Sequence, residues 1–428
     1  MQTNSHSSSL PGPDNIFQAT LGNGLRVFVL ENHTSQSVVI NGYVAGGAVY
    51  ETAAQAGPVQ HDGGGDAPRT KSRSFEEINE AVEAVGASFS VYSGRHAIGI
   101  DGKALAEDFD LLIDVVSDVL VNPIFPDEYV ERVRGQRLTH LRERDSDTRS
   151  VASMLFRQSV YEDHPYGWPV DGLYDTVARL TREDLVACYE RTVSPAGGAF
   201  VVVGAVTGEA VVRALEAGLG GWQARDLPAV QYPAVEPARG VVRREQTLPG
   251  KSQADIVLGG PAVRRSDPDY DAVRLANTVL GRFGMMGRLG ENVRERHGLA
   301  YYAYSTVAAS KEPGAWEVIA GVSPANIDRC LDAVNEELAR FGSELVPDEE
   351  LDDSKALLTG SLPLRLETNE GVADTILDMV WYDLGLDYLH RYADSVNRVT
   401  AEEVRSVAAK YLRPDAHVVA IAGPGDPA

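Results

Sequence analysis

Polar and apolar positions along this chain trace the same order of elements twice. In VARLTREDLVACYERTVSPAGGAFVVVGAV (177–206) a polar approach leads into an amphipathic helix, a proline-containing loop and an apolar run of strand length. VNRVTAEEVRSVAAKYLRPDAHVVAIAGP (396–424) repeats that order. In each copy a threonine, Thr181 or Thr400, is followed three residues later by an acid, Asp184 or Glu403. The arrangement is close to a capping box, which satisfies orphan amides at a helix start. Upstream, 111–144 and 329–362 each set a helix start, Pro126-Asp127-Glu128 or Pro347-Asp348-Glu349, between two helical segments. KSRSFEEINEAVEAVGASFSVY (71–92) predicts a helix N-capped by Ser74, boxed by Glu77 and ending near Gly86, with a strand from about Ser88.

Between the copies, QARDLPAVQYPAVEPARG (223–240) is rich in proline and has neither period, which predicts a linker. The fold class expected is α+β, with two similar halves that each mix antiparallel strands and helical pairs. The expected domains are 18–222 and 241–428, behind a disordered leader over 1–17. One stretch breaks the pattern. After the strand-and-turn segment VAGGAVYETAAQA (44–56), a buried helix is due, yet GPVQHDGGGDAPRT (57–70) supplies two prolines, two aspartates and three consecutive glycines. A mobile loop is expected there, because Gly63, Gly64 and Gly65 lose much backbone entropy on ordering and have nothing to bury.

Composition narrows the functional classes. At 428 residues the chain is too long for a single core. A net charge of −23 argues against binding a nucleic-acid backbone. Cys188 and Cys330 stand far apart without a CxxC pattern, so neither a disulfide framework nor a cysteine zinc site is expected. No segment has the apolar length of a membrane span, and the first residues lack a basic and apolar signal, so a cytoplasmic location is expected.

The order LGNGLRVFVLEN, GGAVYETAAQAG, SRSFEEINEAVEAVGASFSVYSGRH, HPYGWPVDG (164–172) and GRLGENVRERHGLAYYAYS (287–305) resembles the pitrilysin/insulinase family of zinc peptidases, in the branch that includes mitochondrial processing peptidase. The resemblance runs from about residue 18 to 424. It implies two α+β halves enclosing a chamber in which an extended peptide is clamped and cut. It also implies an inverted zinc motif, HxxEH, in which histidines four apart share a helix face and a glutamate activates water. Gln60, Gly63 and Gly64 stand at the His, Glu and His positions, and none can serve. The acidic positions of the later helix fall on Val133 and His140; His140 reads as a solvated helix residue, and His61 sits in glycine-rich coil without partners. No zinc or other cofactor is expected in this chain.

Two origins account for residues 57–70. A zinc helix decayed into a loop, or the reading frame shifted and returned, because G+C-rich codons for the stretch, read from the second base, encode the helix-forming string ALSSMTAAAMLRG. Neither version carries HxxEH.

Arg294 and Tyr301, seven apart, match the pair that in the family reaches substrate near zinc. Guanidinium and phenol suit a carbonyl oxygen gaining negative charge. Arg296, Tyr302 and Tyr304 read as structural neighbours, and GRFGMMGRLG (281–290) as a site of close backbone approach or a mobile connection rather than a phosphate loop. The resemblance thus implies a non-catalytic subunit of a heterodimeric zinc peptidase, inactive alone, whose HxxEH-bearing partner supplies zinc and general base. The alternative is a peptide-binding scaffold without chemistry. Partners expected are that homologous subunit and a peptide, with no nucleic acid and no membrane.

Overall fold

Short runs rich in β-branched and aromatic residues form eleven strands among the described residues. The computed structural model describes residues 10–52, 54, 56, 57 and 69–425. The first sheet contains β1 (Phe17–Thr20), β2 (Arg26–Glu31), β3 (Ser37–Ala45), β4 (Ser88–Ser93), β5 (Ala97–Leu105) and β6 (Ser194–Gly204), in the order β1-β2-β6-β3-β5-β4. The second contains β7 (Val242–Thr247), β8 (Ala254–Pro261), β9 (Ala300–Val307), β10 (Ala315–Val322) and β11 (Val418–Gly423), in the order β7-β11-β8-β10-β9. The five strands from β2 to β4 thus correspond to the five from β7 to β9. Each sheet has one parallel pair, β2 with β6 and β7 with β11, among antiparallel neighbours.

Helix starts follow the expected chemistry. α1 (Phe75–Glu83) is capped by Ser74, whose Oγ accepts from the Glu77 N–H at 3.2 Å while the Glu77 carboxylate accepts from the Ser74 N–H at 2.7 Å. Gly86 follows with φ 64, a left-handed turn suited to glycine, and β4 then begins at Ser88. α2 (Phe109–Val121), α3 (Asp127–Ser146), α4 (Thr148–Tyr161), the short α5 (Tyr174–Val177), α6 (Arg182–Thr192) and α7 (Gly208–Leu219) complete the first half. The second half adds α8 (Tyr270–Gly281), the single turn α9 (Gly287–Leu289), α10 (Ile327–Ser343), α11 (Asp348–Arg365), α12 (Asn369–Trp381), α13 (Tyr388–Arg398) and α14 (Ala401–Tyr411). Full capping boxes close at Thr181 with Asp184 and at Thr400 with Glu403. Residues 223–240 contain neither helix nor strand.

Alternation along the strands buries both faces of each sheet. In the first sheet Val38, Ile40, Phe200 and Val202 face α2 and α7, whereas Phe28, Val39, Tyr43, Val201 and Val203 face the other way. What covers that second face comes from the other half: Val372, Ala373, Ile376 and Met379 of α12, with Leu389, Tyr392 and Val396 of α13. The exchange is reciprocal. Val151, Ala152, Phe156 and Val160 of α4, from the first half, cover Val257, Ile319, Val418, Ala420 and Ala422 of the second sheet. Its opposite face packs on α8, α10 and α14. Buried polar contacts fix both crossings. Asn41 Nδ2 donates to Asp374 Oδ1 at 2.5 Å, and Thr148 Oγ1 donates to Asp255 Oδ2 at 2.5 Å.

The halves also meet the linker at an aromatic junction. Tyr232 lies 6.3 Å from His96 and 5.5 Å from His164, ring centre to ring centre. Lys311 Nζ sits 3.4 Å above the Trp381 ring, and Trp381 meets Tyr43 edge-on at 4.4 Å. Burial holds both histidines neutral, pulling His96 down to about 3 and His164 down to about 4, with the charges of Lys311 and Arg95 adding to it at His96 and Arg95 at His164. No helix among the described residues is long and apolar enough to cross a membrane.

Candidate functional site

Arg294 and Tyr301 sit on two irregularities of the backbone. α8 ends at Gly281, where a Cβ would come within 2.1 Å of the Ser305 amide nitrogen of β9. A tight turn follows, with left-handed φ at Gly284 (55°), Met286 (75°) and Gly287 (61°). For Met286 that conformation is strained. The chain re-enters helix through α9 and continues as a π-helical segment, Gly290–Arg296. A Cβ on Gly290 would lie 2.2 Å from the Met285 carbonyl oxygen, so the glycines here serve close backbone packing. Such π segments hold an extra residue per turn and are frequent at functional sites.

Buried polar groups seat this segment. Asn292 Nδ2 donates to Glu337 Oε2 at 3.3 Å and to the Ala333 carbonyl at 3.4 Å, and Arg340 Nη2 donates to the same Glu337 oxygen at 2.5 Å. Glu337 is 1% exposed, and its Oε1 has no partner among the described residues. Arg288 forks onto Glu350 of α11, with Nε to Oε1 at 2.8 Å and Nη2 to Oε2. Together these tie the segment to α10 and α11. Arg294 itself projects from it, with Nη1 2.8 Å from Met285 Sδ and Nε 3.6 Å from Glu295 Oε1.

Gly298 (φ 60°) turns the chain into β9, an edge strand of the second sheet among the described residues. The register steps from Gly321 opposite Tyr302 to Val322 opposite Ala300, so Tyr301 is the extra residue of a β-bulge. It is 79% exposed, with its ring edge-on to Tyr302 at 6.3 Å. A bulge re-aims a side chain that regular alternation would otherwise commit to one face. The neighbouring side chains have partners within the chain. The Tyr302 hydroxyl bonds Asp255, Tyr304 bonds Arg149, and Arg296 Nη2 meets Glu291 at 3.3 Å.

Of the positions implied for zinc, only Val133 and His140 lie among the described residues, and neither is placed to hold a metal. Val133 is buried against Phe125, Tyr129, Val130 and Leu185. His140 lies on the solvent side of α3, its side chain 63% exposed and Nε2 3.9 Å from Asp171 Oδ2. Among the described residues no group of three or more His, Cys, Asp or Glu side chains converges on a point that could hold a metal ion. Gln60, His61, Gly63 and Gly64, and most of the loop expected at 57–70, lie outside the described residues.

Two family models match in series: Insulinase (Peptidase family M16) over residues 26–172 and Peptidase M16 inactive domain over residues 179–358. The chain belongs to the insulinase family, M16. Similar proteins include an uncharacterized zinc protease of Streptomyces coelicolor, 29% identical over 418 residues and spanning 95% of this chain and 90% of that one. The mitochondrial-processing peptidase subunit beta of Bos taurus is 23% identical over 418 residues, covering 94% of this chain and 83% of its own. The fold is also that of a crystal structure of a peptidase M16 inactive domain from Pseudomonas fluorescens (TM-score 0.87, 24% identity, 96% of this chain and 99% of that one). A protease from Helicobacter pylori has the same architecture (TM-score 0.85, 19% identity, 97% and 100%). The M16 inactive-domain match spans the whole segment from Gly281 to Val307.

The residues that seat Arg294 were not singled out in the sequence. Arg288 and Glu350 are 62 positions apart, and Asn292 and Glu337 are 45 apart. Charge complementarity at such separations leaves no local signature.

Proposed function

We propose that this M16 chain is the non-catalytic, substrate-binding subunit of a heterodimeric zinc peptidase. Its HxxEH-bearing homologue supplies the zinc and the general base, and this chain supplies Arg294 and Tyr301. The observation that carries the reading is the display of both side chains on backbone irregularities, one on a π-helix seated by buried charges and one on an edge-strand bulge. The absence of HxxEH from the whole sequence makes the division of labour necessary if the chain contributes to hydrolysis.

Each donor acts by hydrogen bonding to a peptide carbonyl oxygen as it gains negative charge at the tetrahedral stage. The Arg294 guanidinium offers N–H donors in a planar fork, and the Tyr301 phenol carries its donor into solvent on a strand edge. An extended peptide is the matching substrate class, because main-chain recognition accepts many side-chain sequences. Two buried, unpaired thiols, Cys188 and Cys330, suit a reducing compartment, which supports a cytoplasmic location.

The test is reconstitution with an HxxEH-bearing M16 homologue from the same genome. Tyr301→Phe and Arg294→Ala should each lower turnover of the pair by roughly ten- to a thousandfold, with assembly intact by size measurement. Unchanged turnover in assembled variants overturns the shared site and leaves a peptide-binding scaffold.

A further inference from the structure

Met285 stands at the apex of the strained turn, 66% exposed, with its thioether sulfur 2.8 Å from Arg294 Nη1. Its backbone has little room to move. The carbonyl packs against Gly290, where even a methyl group would collide at 2.2 Å, and left-handed residues flank it at Gly284 and Met286. Met379, by contrast, is 1% exposed inside the first sheet's cover, and Met154 and Met286 are partly buried. Susceptibility of a thioether to oxidation follows exposure, which singles out Met285 among the described methionines.

We infer that Met285 is a peroxide-sensitive modification site whose sulfoxide captures Arg294, a regulation that rests on the reading of Arg294 given above. In the step, the Sδ lone pair attacks one oxygen of a hydroperoxide. The O–O bond breaks and an S–O bond forms. Sulfur is oxidised by two electrons, the peroxide is reduced, and its second oxygen leaves with a proton as water or alcohol. The product replaces a weak thioether acceptor with a polar oxygen beside the Arg294 guanidinium. A hydrogen bond of that charge-assisted kind is much the stronger of the two. Arg294 is then held on its own chain instead of reaching a substrate carbonyl. Reduction by a methionine sulfoxide reductase reverses the change.

The experiment uses the full chain and dilute hydrogen peroxide. Tryptic mapping should find Met285 oxidised before Met154, Met286 and Met379, with fragmentation separating it from Met286. After oxidation, the Arg294 side-chain NH resonances should show slowed exchange with water, an effect absent in Met285→Leu. In the reconstituted pair, oxidation should lower turnover of an internally quenched peptide by about ten- to a thousandfold, the loss expected for one missing donor. Met285→Leu should start near the wild-type rate and resist the loss. Oxidation of Met285 no faster than Met154, or oxidation without change at Arg294, overturns the inference. If Arg294→Ala leaves turnover intact, the catalytic reading fails by itself, and the mapping and the Arg294 resonances still decide the capture.

Discussion

At the scale of single residues, Glu337 has the most demanding position near the site. Its carboxylate is almost fully buried, one oxygen holds Asn292 and Arg340, and the other has no partner among the described residues. Glu337→Gln keeps an acceptor for Asn292, whereas Glu337→Leu removes it and leaves one buried N–H of that amide unsatisfied, at a cost of about 1–3 kcal/mol. Urea denaturation should therefore rank the leucine variant well below the glutamine variant. Hydrogen exchange should show faster opening of the amides from 290 to 299 in the leucine variant alone. In the reconstituted pair the same variant should lose kcat more than KM, because a displaced π segment misplaces a donor needed chiefly in the transition state. Equal protection of 290–299 in wild type and Glu337→Leu would remove Glu337 from that role.

Elements were legible to different depths. The capping boxes at Ser74, Thr181 and Thr400, the proline-led starts of α3 and α11, the left-handed Gly86 and the strand from Ser88 all rest on interactions within four residues, so the sequence carries them locally. The two-sheet α+β architecture was legible because its order occurs twice. The π segment and the bulge were not. An extra residue in a helical turn or a strand leaves hydrophobic period almost unchanged, and the bulge at Tyr301 is defined by its register against β10. The placement of α4 was hidden for a related reason. Its spacing of Val151, Ala152, Phe156 and Val160 marks an apolar face but not which sheet that face covers. Phe156→Ala should cost about 3–5 kcal/mol, as large core truncations do. Because α4 covers the other half's sheet, fluorescence from Trp222 in the first half and Trp316 in the second should report one shared transition. Two separated transitions would show that the crossing couples the halves weakly.

At the scale of the whole molecule, the exchanged helices predict that covalent continuity through the linker is dispensable once the chain is folded. Proteolysis within 223–240 should leave both fragments co-eluting, since each sheet keeps its cover from the other fragment. Separation of the fragments in native buffer would contradict this. The aromatic junction adds a pH dependence of definite sign. His96 and His164 have folded-state values far below the ordinary histidine value near 6.5, so the folded state binds fewer protons than the unfolded one. Their contribution is fully present above about pH 6.5 and is lost as pH falls toward about 3, with a slope of at most about 1.4 kcal/mol per pH unit for each histidine. Urea midpoints measured between pH 7 and 5 should fall in wild type and fall less steeply in His96→Phe. An equal slope in both would exclude His96 as a source.

The reciprocal cover also sets a timetable for synthesis. The apolar face of the first sheet, with Phe28, Val39, Tyr43, Val201 and Val203, is complete soon after residue 204 has left the ribosome. Its lid, α12 and α13, lies at 369–398 and is translated last but for one helix and one strand. For most of its remaining elongation the nascent chain thus carries a finished but naked sheet surface, of the kind that general chaperones bind and that aggregates when they are absent. A ribosome that stops before residue 369 releases a chain whose first half has its full sequence and nothing to close it.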